Sequence, residues 1–126
     1  MSTRNRLANA KNEYQGKSKK VLCVCSAGLL RSPTLAWVLS QPPYNYNTRA
    51  AGISKEYALI PVDDVLIHWA DTIISVEPYV ETQLLESFNT EQKELICLDV
   101  PDMYGYRDQE LVSIIREQCE YALRDT

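Results

Sequence analysis

The sequence predicts an α/β fold: a single domain in which a four-stranded parallel sheet carries helices on both faces. The length of 126 residues, of which 45% are apolar, suits one domain with one continuous interior. Short apolar runs alternate along the chain with segments of helical spacing. Strands that alternate with helices pair in parallel, because each helix crosses the sheet to reach the next strand.

The predicted elements follow one another from residue 20 onward. A strand is predicted where a short continuous apolar run is typical of a buried parallel strand. A helix is predicted where apolar residues recur at three- and four-residue spacing, or where a proline stands near the first helical position. The strands are 20–25, 47–52, 71–76 and 94–100, and the helices are 32–39, 61–69, 77–88 and 110–123.

Charge separates residues 1–19, predicted as a polar basic N-terminal arm or helix, from residues 20–126, predicted as the folded domain. Residues 1–20 carry six basic groups and one acidic group, so the other 106 residues hold a net charge of -9 within the total of -4. An acidic body disfavours nucleic acid as a partner. An anion must therefore bind in a local pocket.

The cysteine and histidine content argues against a metal or a cofactor. No two of the four cysteines have the C-x-x-C spacing of a zinc or dithiol site, and His68 is the only histidine. Cys97 and Cys119 are predicted to be buried packing thiols. The chain shows no signal peptide and no apolar run long enough to cross a membrane. Free thiols then predict a cytoplasmic location, with no membrane partner.

The most informative segment runs from Cys25 to Ser32, between the first predicted strand and the first predicted helix. Its backbone N–H groups are predicted to form a nest for an anion, with the positive end of the helix behind it. Gly28 permits a positive φ, and Arg31 offers a planar fork that matches two phosphate oxygens. The residues predicted to bind phosphate here are Ser26, Ala27, Gly28, Leu29 and Leu30.

The same positive field favours the thiolate form of Cys25. A thiolate beneath a bound phosphate can attack phosphorus and form a phosphocysteine. Ser32 is predicted to donate its hydroxyl to the sulfur and to stabilise the thiolate as it leaves. The competing interpretation is a buried core thiol at position 25 and a surface cation at position 31.

Residues 21–33 resemble the phosphate-binding loop of the low-molecular-weight protein tyrosine phosphatases, in which the loop directly follows the first strand. The resemblance continues through 49–53 and 69–76 and covers nearly everything after residue 19. It implies hydrolysis of phosphomonoesters, above all protein phosphotyrosine, and a phosphorylated protein or small aryl phosphate as partner. Gly28 stands where the family usually has asparagine, and Leu30 where it often has a second cysteine.

The resemblance also implies a proton donor in a late loop. The family uses an aspartate-proline-tyrosine segment, and Asp102-Met103-Tyr104 stands at that place, so Asp102 is predicted to be the general acid and then the base. Asp99 is the alternative. Tyr104 and Tyr106, together with Leu29 and Leu30, are expected to form an apolar wall around an aryl phosphate, or else to be packing residues.

Three other functions remain open from the sequence. A phosphocysteine carrier, as in sugar phosphotransferase systems, has a similar cysteine loop but generally lacks an arginine at position 31. An arsenate reductase needs further redox cysteines in a mobile segment. A non-catalytic phosphate-binding module would keep the loop without turnover.

Overall fold

The computed structural model describes residues 18–27, 30–102, 105 and 107–123. In these residues strands and helices alternate as the sequence predicts, which confirms the α/β class. The strands are β1 (Lys20–Cys25), β2 (Asn47–Gly52), β3 (Thr72–Ser75) and β4 (Glu94–Cys97). The helices are α1 (Arg31–Ser40), α2 (Asp64–Trp69), α3 (Pro78–Ser87) and α4 (Gln109–Leu123). Most of the predicted basic arm lies outside the described residues.

The four strands form one parallel sheet in the order β2-β1-β3-β4. The central strand β1 pairs Cys25 with Gly52 on one side and Val24 with Ser75 on the other. The carboxyl ends of the strands therefore lie along one edge of the sheet. Ligands of open parallel sheets bind at this edge.

Side chains that alternate along β1 enter two separate cores, because successive residues of a strand point to opposite faces. Cys23 and Cys25 pack in one core with residues of α1 and α4. Leu22 and Val24 pack in the other with residues of α2 and α3. Helices therefore cover both faces of the sheet, as predicted.

The structure corrects several predicted boundaries. α1 begins at Arg31, one residue before Ser32. α2 begins at Asp64, because Pro61 forms a bridge with Gly52 and the Asp63 carboxylate caps the helix by accepting from the Leu66 N–H at 2.9 Å. β4 ends at Cys97, three residues before the predicted end at residue 100, although the N–H groups of Leu98 and Val100 still donate to the carbonyls of Ser75 and Val76.

The two thiols predicted to be buried differ in their surroundings. Cys119 is fully buried on α4, which confirms its assignment. Cys97 is exposed, so its assignment as a buried thiol is wrong. β4 is an edge strand, and its last residue has only one neighbouring strand to cover it. No helix among the described residues is long and apolar enough to span a membrane.

Candidate active site

Cys25 is the last residue of β1 and is only 3% exposed. Its Sγ lies 3.1 Å from Oγ of Ser32, in the first turn of α1. The same hydroxyl lies 3.3 Å from the Ala51 carbonyl and donates to it. A hydroxyl has one proton. It therefore donates to the Ala51 carbonyl, and the Cys25 thiol donates to the hydroxyl oxygen.

Gly52 lets the chain after Cys25 lie close against the end of β2. A Cβ at this position would lie 2.5 Å from the carbonyl carbon of Ala27 and 2.7 Å from its oxygen. The residues after Gly52 hold the same segment, since the N–H groups of Ile53 and Ser54 donate to the carbonyls of Cys25 and Ser26, each at 2.9 Å. The first residues of the loop are therefore fixed from the β2 side.

Arg31 joins three segments of the carboxyl edge although it is only 3% exposed. Its Nη1 donates to the Val100 carbonyl at 3.0 Å, and its Nη2 lies 2.7 Å from Oε2 of Glu77. Its Nε lies 3.5 Å from Oδ1 of Asp102. A buried cation needs such partners. The guanidinium therefore holds together the ends of β3 and β4 and the start of α1.

The two candidate acids differ in their relation to Arg31. Asp102 lies beside the guanidinium, with its side chain 64% exposed, so solvent screens that pair. Asp99 is exposed and lies after the end of β4, so its predicted place within the strand is wrong. Its backbone N–H and carbonyl both bond the Gln118 side chain at 2.8 Å. The contact between Asp102 and Arg31 shows that the residue ending the loop after Cys25 and the loop after Val100 meet at one edge of the sheet.

Neither a protein-family model nor a curated sequence matches the chain. Solved structures do match it. A low-molecular-weight phosphotyrosine phosphatase from Vibrio cholerae O395 is 21% identical with a TM-score of 0.63, over 85% of this chain and 95% of that one. The chain has the fold of the low-molecular-weight phosphotyrosine phosphatases.

Solved structures that carry this phosphatase fold include proteins of other activities. An arginine phosphatase from Geobacillus stearothermophilus is 18% identical with a TM-score of 0.62, over 85% of this chain and 94% of that one. A thioredoxin-dependent arsenate reductase from Corynebacterium glutamicum is 16% identical with a TM-score of 0.60, over 99% of this chain and 72% of that one. Such identities show a shared fold, and a fold does not decide the reaction.

Four of the predicted binding residues lie outside the residues that the structure describes: Gly28, Leu29, Tyr104 and Tyr106. Leu30, which precedes α1, is 39% exposed. Ser26 and Ala27 follow β1 directly and are partly buried.

Glu77 is the residue that sequence reasoning missed. It was taken only as the start of a helix, although it directly follows the apolar run of β3. An acidic side chain just after a buried strand lies at the same edge as the loop after β1. The position of Glu77 directly after a predicted strand could have marked it as a site residue. That it pairs with Arg31 could not be predicted without the structure.

The remaining thiols lack surroundings that favour a thiolate. Burial raises the pKa of Cys23 well above its ordinary value, and it raises the pKa of Cys119 to about 12. Partial burial also raises the pKa of Cys97. These three thiols are therefore neutral at physiological pH. The described residues contain no group of three metal-ligating side chains.

A cavity of about 470 Å³ opens beside Ser26. Ser54 and Lys55, after β2, line one side of it, and Tyr79 and Gln83 of α3 line the other. Its lining is about equally polar and apolar and includes one cation, Lys55. The loop after Cys25 therefore borders a space large enough for part of a substrate.

Proposed function

We propose that the chain hydrolyses phosphomonoesters, protein phosphotyrosine above all, through a phosphocysteine intermediate on Cys25. The observation that carries this proposal is the position of Arg31. Its buried guanidinium belongs to the residue that ends the loop after Cys25, and it lies 3.5 Å from the Asp102 carboxylate. This contact supports a site at the ligand-binding edge of the sheet in which Cys25 acts as nucleophile, Arg31 as anion clamp and Asp102 as acid.

The first step makes a sulfur–phosphorus bond and breaks the bond between phosphorus and the ester oxygen. The Cys25 thiolate supplies the electron pair for the new bond. The leaving oxygen takes the proton of Asp102, so that it departs as a neutral phenol. Arg31 has five N–H donors, of which Val100 and Glu77 each take one. Three donors remain for the phosphoryl oxygens and Asp102.

The second step returns the enzyme to its starting form. The Asp102 carboxylate takes a proton from a water molecule, and the water oxygen attacks phosphorus. The sulfur–phosphorus bond breaks and Cys25 leaves as a thiolate. The Ser32 hydroxyl turns from the Ala51 carbonyl towards the sulfur and stabilises its charge. Inorganic phosphate is then released.

Turnover of several phosphorylated compounds by the purified full chain tests this proposal. The panel contains phosphotyrosine, phosphoserine, phosphoarginine and a sugar phosphate, and rapid acid quench followed by mass spectrometry looks for phosphate on Cys25. We expect the highest kcat/KM for phosphotyrosine and a transient phosphocysteine. Absence of turnover on the whole panel overturns the proposal.

The same experiment separates the other functions that the sequence left open. A phosphocysteine that persists until an acceptor is added indicates a carrier. Phosphate binding without a covalent adduct indicates a non-catalytic module. Thiol oxidation that depends on arsenate indicates a reductase, for which a second thiol must reach Cys25.

A further inference from the structure

We propose that Thr34 is a positioning residue whose hydroxyl ties the end of the phosphate loop to the end of the loop that carries Asp102. This inference rests on the proposed function, because it gives Asp102 the role of general acid. The tie itself is a feature of the described residues. The roles proposed for Cys25 and Arg31 do not depend on this link through Thr34.

Thr34 lies in the first turn of α1 and is fully buried. Its Oγ1 donates to the Leu30 carbonyl at 2.8 Å and accepts from the backbone N–H of Arg107 at 3.0 Å. Both distances are typical of good hydrogen bonds. A hydroxyl is both donor and acceptor, so one side-chain oxygen bridges two loops that are far apart in sequence.

The bond to Arg107 distinguishes this threonine from an ordinary helical one. Threonine in a helix often donates to the carbonyl four residues earlier, as Thr34 does to Leu30. That bond alone would only join neighbouring residues of the same helix. The second bond reaches a residue 73 positions further along the chain. It is the bond that gives Thr34 a role in the site.

Arg107 is held at a second point by the same helix. Its guanidinium carbon lies 3.8 Å from the centre of the Trp37 ring, a close cation–π contact. Trp37 is three residues after Thr34, and residues at this spacing share one side of a helix. Arg107 has a φ of 59°, which residues other than glycine seldom adopt. The two contacts with α1 support this backbone conformation.

The loop between β4 and α4 is therefore anchored on both sides of Asp102. On one side Val100 donates to the Val76 carbonyl at 2.8 Å and accepts from Arg31 at 3.0 Å. On the other side Arg107 is bound to Thr34. The residue after Asp102 is a methionine, which does not restrict the backbone as proline would. The placement of the acid then depends on these two anchors together with the contact between Asp102 and Arg31.

Replacing Thr34 with valine tests the inference, since valine keeps the branched shape and removes the hydroxyl. The measurement is pre-steady-state release of the phenol from phosphotyrosine and from nitrophenyl phosphate, whose leaving group is the more stable anion. A general acid contributes about 10² to 10⁴ in rate, so a misplaced acid should lose about tenfold on phosphotyrosine and less than about threefold on the nitrophenyl ester. Thr34→Ser keeps the hydroxyl and should restore the wild-type pattern.

Thr48→Val is the matched control. Thr48 is also fully buried, and its hydroxyl donates to the Ala36 carbonyl of the same helix at 2.9 Å. This change removes one buried hydrogen bond and does not touch Arg107. We expect both valine variants to lower Tm, and only Thr34→Val to change the ratio of the two substrates. Equal slowing of both substrates by Thr34→Val, or the same ratio in both variants, overturns the inference.

Amide hydrogen exchange at Arg107 gives a readout that needs no turnover. Thr34→Val should speed this exchange about tenfold or more, because the N–H loses its acceptor, while Thr48→Val should leave it unchanged. In an active enzyme, unchanged exchange in Thr34→Val overturns the tie alone. If the wild-type chain turns over no phosphate ester, the proposed function fails, and the role of Thr34 in placing an acid fails with it.

Discussion

Arg31 and Glu77 form an ion pair in which Nη2 and Oε2 are 2.7 Å apart, the arginine side chain being 4% exposed and the glutamate 30% exposed. Arg31 is the first residue of α1, and Glu77 lies just after β3. The carboxylate therefore determines where the planar guanidinium faces, which matters because an arginine clamp acts through direction as well as charge.

Glu77→Gln should lower kcat by about tenfold. The amide still accepts a hydrogen bond from the charged guanidinium, but the ion pair with the carboxylate is lost, so Arg31 samples more orientations. Steady-state kinetics on phosphotyrosine measure the effect. Glu86→Gln, which changes an exposed carboxylate on α3, the helix that Glu77 precedes, is the control and should behave as wild type. Equal kcat in both variants would show that Glu77 does not orient the clamp.

Cys25→Ser should abolish turnover and leave binding of phosphate or vanadate within about threefold of wild type. The oxygen of serine is a far weaker nucleophile at neutral pH, while the backbone N–H groups and Arg31 remain in place. Isothermal titration calorimetry and a turnover assay give the two numbers. Full activity in this variant would remove Cys25 from the mechanism.

Arg31→Lys should reduce kcat/KM by about 10²-fold or more. Lysine keeps the positive charge and loses the fork, and removing one oriented donor to a transition state typically costs about 10² to 10³ in rate. The conservative change Arg116→Lys at an exposed site of α4 is the control. A loss below about threefold would mean that Arg31 does not contact the transferring phosphoryl group.

Asp102→Asn should slow release of the phenol from phosphotyrosine strongly and from an activated aryl phosphate much less. The reason is that a stable leaving anion needs little help from an acid. Both aspartates are exposed, so Asp99→Asn is a fair comparison and should change neither chemistry nor stability much. If Asp99→Asn shows the dependence on leaving group instead, the acid is Asp99.

Glu94→Gln should destabilise the fold at neutral pH and not in acid. Hydrogen bonds from Lys19 at 2.9 Å and Thr72 at 2.7 Å lower the pKa of the Glu94 carboxyl. A lowered pKa in the folded state adds stability above the unfolded pKa of about 4.3, and this stability is lost as pH falls through the folded pKa.

Urea unfolding of wild type and Glu94→Gln at pH 7 and at pH 3 checks this expectation. The gap between the two should close at the lower pH and shrink with added salt, because the Glu94 side chain is 43% exposed. Glu91→Gln, at an exposed carboxylate before β4, should show no gap at either pH. A gap that persists at pH 3 would trace to packing rather than charge.

The order of strands and helices could be predicted from the sequence because it depends on local residue patterns. The continuous apolar run that ends at Cys25 predicted a buried strand, and β1 is indeed central. The ends of helices and strands were harder to predict where a tertiary contact determines them. Pro61 was assigned to a helix and instead bridges Gly52, a partner whose position depends on how β2 pairs. Cys97 was expected to be buried and is exposed, because its strand lies at the edge of the sheet.

What the sequence determined by itself is the set of groups that spacing brings together: Cys25, the loop after it, and Arg31 at the start of α1. Their separation along the chain is short, so local geometry places them. Only the tertiary structure decided which residues distant in sequence contact this segment. The Glu77 carboxylate, the Val100 carbonyl and the Arg107 amide reach α1 from 46, 69 and 73 residues away. No period or motif encodes such contacts, because they arise from the alignment of parallel strand ends at one edge.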